Sequence, residues 1–405
     1  MSRKLQTSPL WINRRAGLWC LAGGAVTLLA ACAGQGVSPG TGDPFGGQQA
    51  GAAMQPSAIG TGQVKVALIL PLSATGNAGV AAQSMKNAAE LALSEFNEPN
   101  IQLLVKDDGG SAPNAQFAAQ QAMEEGAEII LGPLFAQSVQ AAATSAKPRG
   151  IPVIAFSTDS SVASRGVYLL SFLPESDVTR IVSYSIATGK RSFAALIPEN
   201  AYGSVVEATF RETVARRGGR VVALERYSSD RARMDQAAKA IAQAARNADA
   251  LFIPDGADTV PVLMRSLTDA GVNTRRLQLL GTGLWDDPRI FNDAALHGGA
   301  FAAPDTSGFA SFSQRYRAKY GQDPVRTATL AYDATALVAA LVKTQGAQRF
   351  SEEVLTNPSG FAGIDGVFRF KPNGTNERGL AVLRVETAGG QVVSPAPKSF
   401  GASGT

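Results

Sequence analysis

From residue 64 onward, short apolar runs alternate with longer stretches in which apolar residues recur every three or four positions. Residues 64–72 (VKVALILPL), 101–110 (IQLLVKDDGG), 127–134 (AEIILGPL) and 151–161 (IPVIAFSTDSS) each begin as a strand buried on both faces. Between them, residues 81–97, 113–125 and 138–149 carry helical spacing, with Gly126 as a stop after the second. This predicts β-α-β-α-β-α-β, the rhythm of a parallel sheet with helices on both faces. The rhythm restarts after residue 174: helix 178–188, strand 191–198, helix 202–217, strand 221–227, helix 234–247, strand 248–256, helix 259–270 and strand 277–283. Two α/β units are therefore expected, without a close sequence repeat between them. Residues 309–341 follow as two helices around a Gly and Pro hinge. Residues 363–386 then read as a strand pair with an Asn373-Gly374 turn.

The first 63 residues follow a different pattern. Residues 1–31 combine a positive start with an apolar run from Leu18 to Ala31 that is short for a membrane span, so an export signal is expected. It ends Leu29-Ala30-Ala31-Cys32, which resembles the bacterial lipobox, and this predicts a lipid on Cys32 and an anchor in a membrane. Ala33, in place of Asp after the Cys, favours the outer membrane, on the periplasmic side. Residues 32–63 are Gly, Ser, Pro, Gln and Ala with almost no bulky apolar residue, and are expected to form a disordered tether. Residues 394–405 are expected as a flexible tail.

Charge narrows the function classes. Of the 37 basic residues, Arg3, Lys4, Arg14 and Arg15 lie in the leader, leaving 33 against 33 acidic, so the remainder is formally neutral and carries no dense basic stripe for nucleic acid. The two cysteines, Cys20 and Cys32, lie in the leader and at its end, so no thiol remains for a disulfide, metal or nucleophile. His297 is the sole histidine and lies in a loop. With no nucleophile beside a base, no Walker loop and no zinc motif, the chain is expected to be no enzyme and to need no cofactor or metal.

In open α/β sheets, ligands settle outside the carboxyl ends of the strands. One rim of the first unit would carry Ser73, then Gln137 and Ser138 after Phe135, then Ser157, Thr158 and Asp159. For each hydroxyl alone, the competing reading is a polar turn that caps the next element. Asp107 and Asp108 read as loop and capping carboxylates.

The order and spacing of LPLSATG, IPVIAFSTDSS, the F…RY…YG…P…YDA series in 309–334 and the GxxGxxxFxxNG run in 363–374 resemble the type I periplasmic solute-binding proteins of the Leu/Ile/Val-binding family. The resemblance covers residues 64–393. It implies two doubly wound lobes, 64–171 plus 307–363 and 172–306 plus 364–393, joined by three crossings near 171–174, 302–306 and 363–367. It further implies that a small polar ligand, such as an amino acid, is captured by hinge closure for an ABC permease. Tyr202, in PENAYG, takes the place of a family Tyr that covers the ligand; its alternative is a helix-start Tyr with its hydroxyl in water. The family's second-lobe acid is missing, with Asp286 or Asp255 as substitutes. Trp285 would stack on the ligand or else pack under its loop. Asp159 stands where amino-acid binders usually offer a hydroxyl, and its carboxylate repels a ligand carboxylate. The chain also resembles outer-membrane lipoproteins that activate penicillin-binding proteins, which would make a peptidoglycan synthase the partner instead.

Overall fold

The computed structural model describes residues 57–400. The predicted leader, Cys32 and most of the expected tether lie outside them. The first sheet is built from β1 (Ser57–Ile59), β2 (Val64–Leu70), β3 (Ile101–Asp107), β4 (Ile129–Leu131), β5 (Val153–Ala155) and β6 (Val167–Leu169), in the order β1-β3-β2-β4-β5-β6. All its pairings are parallel except β1 with β3. β1 lies within the stretch expected to be tether. Its backbone pairs with the open edge of β3, a gain that composition does not register.

The second sheet takes β7 (Ser192–Pro198), β8 (Arg220–Tyr227), β9 (Ala250–Phe252), β10 (Gln278–Gly281) and β11 (Ala300–Ala303), all parallel. A third, three-stranded antiparallel sheet follows, of β12 (Phe361–Gly363), β13 (Gly366–Phe370) and β14 (Asn376–Arg378). The chain then returns to the second sheet as the antiparallel pair β15 (Ala381–Glu386) and β16 (Gly389–Ser394), completing the order β16-β15-β11-β10-β9-β7-β8.

Helices cover both faces of each large sheet, as near-continuous burial of the strands requires. α1 (Asn77–Glu95), α2 (Ala112–Glu124) and α3 (Ala136–Ala146) come from the first unit, α4 (Pro174–Ala187), α5 (Ala201–Arg216), α6 (Arg231–Ala245) and α7 (Val260–Asp269) from the second. The short α8 (Pro288–Phe291) precedes β11, and α9 (Thr306–Tyr320) and α10 (Ala328–Thr344) return to the first sheet. One face of that sheet packs on α1 and α10 through Met85, Ala89, Leu330 and Val338, the other on α2 and α3 through Ala119 and Ala142. The second sheet packs on α6 and α7 through Ile241 and Leu263, and on α4 and α5 through Ile181 and Phe210.

The chain passes between the large sheets at 170–174, between β11 and α9, and between β14 and β15. The last passage differs from the expected crossing at 363–367. Phe368 and Phe370 sit in the first-sheet core, whereas Leu380 and Val382 belong to the second. Pleat alternation along β13 commits both phenylalanines to the first side, so the change of sheet waits until Gly379. Residues 395–400, expected within a flexible tail, have packing partners along this last passage.

Candidate functional site

On the first sheet, the predicted residues collect at one edge because each follows the carboxyl end of a parallel strand. Ser73 follows β2, Gln137 and Ser138 open α3 after β4, and Ser157 to Asp159 follow β5. Their hydrogen bonds are short in range. Ser157 Oγ accepts from Asp159 N at 3.1 Å, and Asp159 Oδ1 accepts from Ser161 N at 2.9 Å, capping a single 3-10 turn. Ser157 is buried (4 % exposed), while Gln137, Thr158 and Asp159 are exposed. Ser138 is fully buried, and its Oγ has no hydrogen-bond partner among the described residues.

The Asp107-Asp108 pair organises the neighbouring loop. Asp107 Oδ1 accepts from Ser73 N at 3.2 Å and Gly109 N at 2.8 Å. Burial disfavours the Asp107 carboxylate, but the bonds from Ser73, Gly109 and Leu72 outweigh burial and hold the carboxyl below its ordinary range. Asp108 accepts from Gly110 N at 2.9 Å, yet deeper burial raises its pKa.

The edge of the second sheet is wired differently. Asn200 caps α5 by accepting from Gly203 N at 2.8 Å, which sets Tyr202 in the first turn. Tyr202 Oη and Thr282 Oγ1, the latter just past β10, are 3.1 Å apart. The next residue, Gly283, donates its N–H to Asp177 Oδ2 of α4 at 2.9 Å. Tyr227, closing β8, donates to Asp255 Oδ2 at 2.7 Å, and Asp255 Oδ1 accepts from Gly256 N. Burial is the first cause of each shift in this group: it raises Tyr202 and Tyr227, and lifts Asp177 to about 7 against the opposing pull of Gly283 N–H and Arg378.

Trp285 does not line this edge. Its side chain is 0 % exposed, Nε1 donates to Ile253 O at 3.1 Å, and the indole lies so close over Gly281 that no Cβ fits there. The stacking role expected for it is corrected accordingly: the indole belongs to the second core, under its loop. Asp286 is exposed and within electrostatic reach of Arg326.

Where the chain changes sheets, two arginines converge on Phe172. The Arg326 guanidinium lies 4.8 Å from the Phe172 centroid and 4.6 Å from that of Phe309, and forks onto Asp365 at 3.0 and 2.6 Å. The Arg378 guanidinium (5 % exposed) lies 4.7 Å from the Phe172 centroid and donates through Nε to Ser171 O; its Nη1 and Nη2 have no hydrogen-bond partner among the described residues. Asn376 donates to the same carbonyl at 2.8 Å, tying the first passage to the last. Asp333 accepts from Ile364 N at 2.8 Å, and burial lifts its carboxyl to about 7.

The structure thus gathers Ser73, Gln137, Ser138, Ser157, Thr158 and Asp159 at one sheet edge, and Tyr202 and Asp255 at another. Among the described residues no hydrogen bond joins the two sets. Thr282, Tyr227, Asp177, Arg326 and Arg378 were not picked out from sequence. Thr282 was within reach, since a hydroxyl directly after an apolar strand is the signal that identified Ser157. A surface cavity of about 880 Å³ lies beside the last passage, walled by Arg180, Arg217, Lys371, Pro397 and Phe400. None of the predicted ligand residues lines it. Among the described residues no group of three His, Cys, Asp or Glu could hold a metal ion.

The sequence profile described as periplasmic binding protein matches residues 63–391. A putative branched-chain amino acid ABC transporter protein from Rhodospirillum rubrum superposes with a TM-score of 0.73 at 22% identity, covering 82% of this chain and 99% of that one. A solute-binding protein of an ABC transporter from Rhodopseudomonas palustris, in complex with 3,4-dihydroxybenzoic acid, gives 0.59 at 22% identity, covering 83% and 97%. Penicillin-binding protein activator LpoA of Pantoea ananatis is 30% identical over 131 residues, 32% of this chain and 19% of that protein. The chain spans between 19% and 53% of the length of the curated relatives it matches.

Proposed function

Because the chain belongs to the periplasmic binding protein family, we propose that it is an extracytoplasmic solute-binding protein that captures a small polar ligand, an amino acid or a related molecule, and presents it to an ABC permease. The observation that carries this reading is the span of the match, which takes in every passage between the large sheets and all their strands except β1 and the end of β16. In this reading the sheets are two lobes, 64–171 plus 307–378 and 172–306 plus 379–394, that rotate about the passages. Ser73, Gln137, Ser157, Thr158 and Asp159 form the first wall, Tyr202, Thr282, Tyr227 and Asp255 the second. Tyr202, held by Thr282, covers the ligand on closing. Lipidation of Cys32 anchors the protein, with the outer membrane favoured over the inner.

The test is thermal unfolding with a panel of amino acids, amides and aromatic acids. A ligand at 100 times its Kd adds about 2.7 kcal/mol to stability and raises Tm. A panel that leaves Tm unchanged at millimolar concentration overturns the reading. The 131 residues shared with LpoA support a second reading, contact with a peptidoglycan synthase, but they reach only 19% of that protein. Co-purification of a synthase together with an unresponsive Tm favours it.

A further inference from the structure

Beyond β16 the chain reads Pro395-Ala396-Pro397-Lys398-Ser399-Phe400, a sequence whose prolines favour an extended, semi-rigid path. Its departure is fixed by Arg180 of α4. Nε donates to Leu380 O at 2.8 Å, and Nη2 to Ser394 Oγ at 2.7 Å and Pro395 O at 3.4 Å. Ala396 packs against the second core. Pro397 then lies against Gly379, the point where the chain changes sheets: a Cβ on that glycine would come 2.9 Å from Pro397 Cγ.

The far end rests on the other side. Arg369 Cζ sits 4.6 Å from the Phe400 ring centroid. Arg369 is itself immobilised by Glu377, at 3.0 and 2.8 Å, and by Pro358 O at 3.0 Å. A Cβ on Gly360 would meet Phe400 Cδ2 at 2.8 Å, so glycine there makes room for the ring. Arg369 and Gly360 belong to the third sheet and its approach, whose Phe361, Phe368 and Phe370 pack in the first core. Arg180 belongs to α4, which packs in the second.

We infer that residues 395–400 form a fourth connection between the two large sheets, a releasable strap whose far side is held by Phe400 on Arg369 and Gly360. Three passages are covalent and permit rotation about them. Among the described residues the chain links the strap directly to β16, while its hold on the third sheet comes through Phe400, so rotation that moves α4 away from the third sheet must either strain it or lift Phe400 off. The strap therefore biases the resting angle between the sheets.

The full chain, a Phe400→Ala variant and a chain ending at Ser394 test this without any ligand, so the outcome is separate from that of the solute-binding reading. Amide hydrogen exchange in residues 358–370 and 376–382 should quicken about fivefold in F400A, the factor expected for one such contact. Exchange in β2 and β7 should stay unchanged, and Phe400→Tyr should restore the protected rate. Small-angle scattering of F400A and of the shortened chain should broaden the distance distribution. If the shortened chain fails to fold, F400A decides alone. Unchanged exchange in both segments, or an equal acceleration of β2 and β7, overturns the inference.

Discussion

The two sheet edges present polar groups by opposite means. On the first, backbone amides of the same loop supply most of the bonds: Asp159 N to Ser157, Ser161 N to Asp159, Gly109 N to Asp107. On the second, beside the local bonds of Asn200 and Asp255, the main partners come from distant segments: Tyr202 with Thr282, Gly283 with Asp177, Tyr227 with Asp255. Local turns fix a side chain at low cost in sequence and leave Thr158, Asp159 and Gln137 exposed. A tertiary network fixes position only once the whole unit has folded, and it spends hydroxyls on one another. The first edge is thus suited to offering free hydrogen-bond groups, the second to presenting a preset surface.

The largest break in this contrast comes from Trp285→Ala, which removes the indole between Gly281 and Ile253 and should cost about 3–5 kcal/mol by denaturant unfolding. No first-edge substitution should approach that. Arg326→Ala strips the fully buried Asp365 carboxylate of its forked partner, and should cost roughly 3 kcal/mol. Arg326→Lys should recover only part of this, because an ammonium cannot fork or stack on Phe172 and Phe309 in the same way.

The network also carries a pH signature. Asp177 and Asp333 both have folded pKa values lifted to about 7 by burial, above the unfolded value near 3.9. The folded state then holds more protons than the unfolded in this window. Their contribution is complete below about pH 4 and is lost as pH rises through about 7. Melting curves at pH 5 and pH 8 should show lower Tm at pH 8 from this source, and the gap should narrow in Asp177→Asn with Asp333→Asn.

Smaller effects sharpen the contrast. Tyr202→Phe deletes one hydrogen bond and should cost about 1 kcal/mol of stability, with a further loss of ligand affinity visible by calorimetry. Asp159→Asn keeps an acceptor for Ser161 N and should change stability by under about 0.5 kcal/mol. Its effect belongs to selectivity, since loss of the carboxylate should favour ligands that carry one.

Helices and buried strands were legible because burial writes a period into the sequence. Residues 202–217 and 259–270 were expected as helices and are α5 and α7 within two residues at each end. Two α/β units followed from that alternation, and the doubly wound fold class implied by the resemblance holds, with parallel-dominated sheets to which β1, β15 and β16 add antiparallel pairings. Elements defined by their partners escaped. β1 is three residues of a polar segment recruited by the β3 edge, and the last passage moved to Gly379 because Phe368 and Phe370 choose the first core. The rim positions of Ser73 and Ser157 were readable because strand ends are, whereas Tyr202 came from the family resemblance. Asp177 and Tyr227 were not readable, since their roles come from pairs 106 and 28 residues apart.

Native mass spectrometry of the protein isolated from its own cell envelope tests solute capture most directly. The account predicts a single small molecule retained by the folded chain, released in proportion as Tyr202 or Thr158 is replaced. A bare chain mass under gentle conditions, in a protein whose Tm no solute moves, would contradict it.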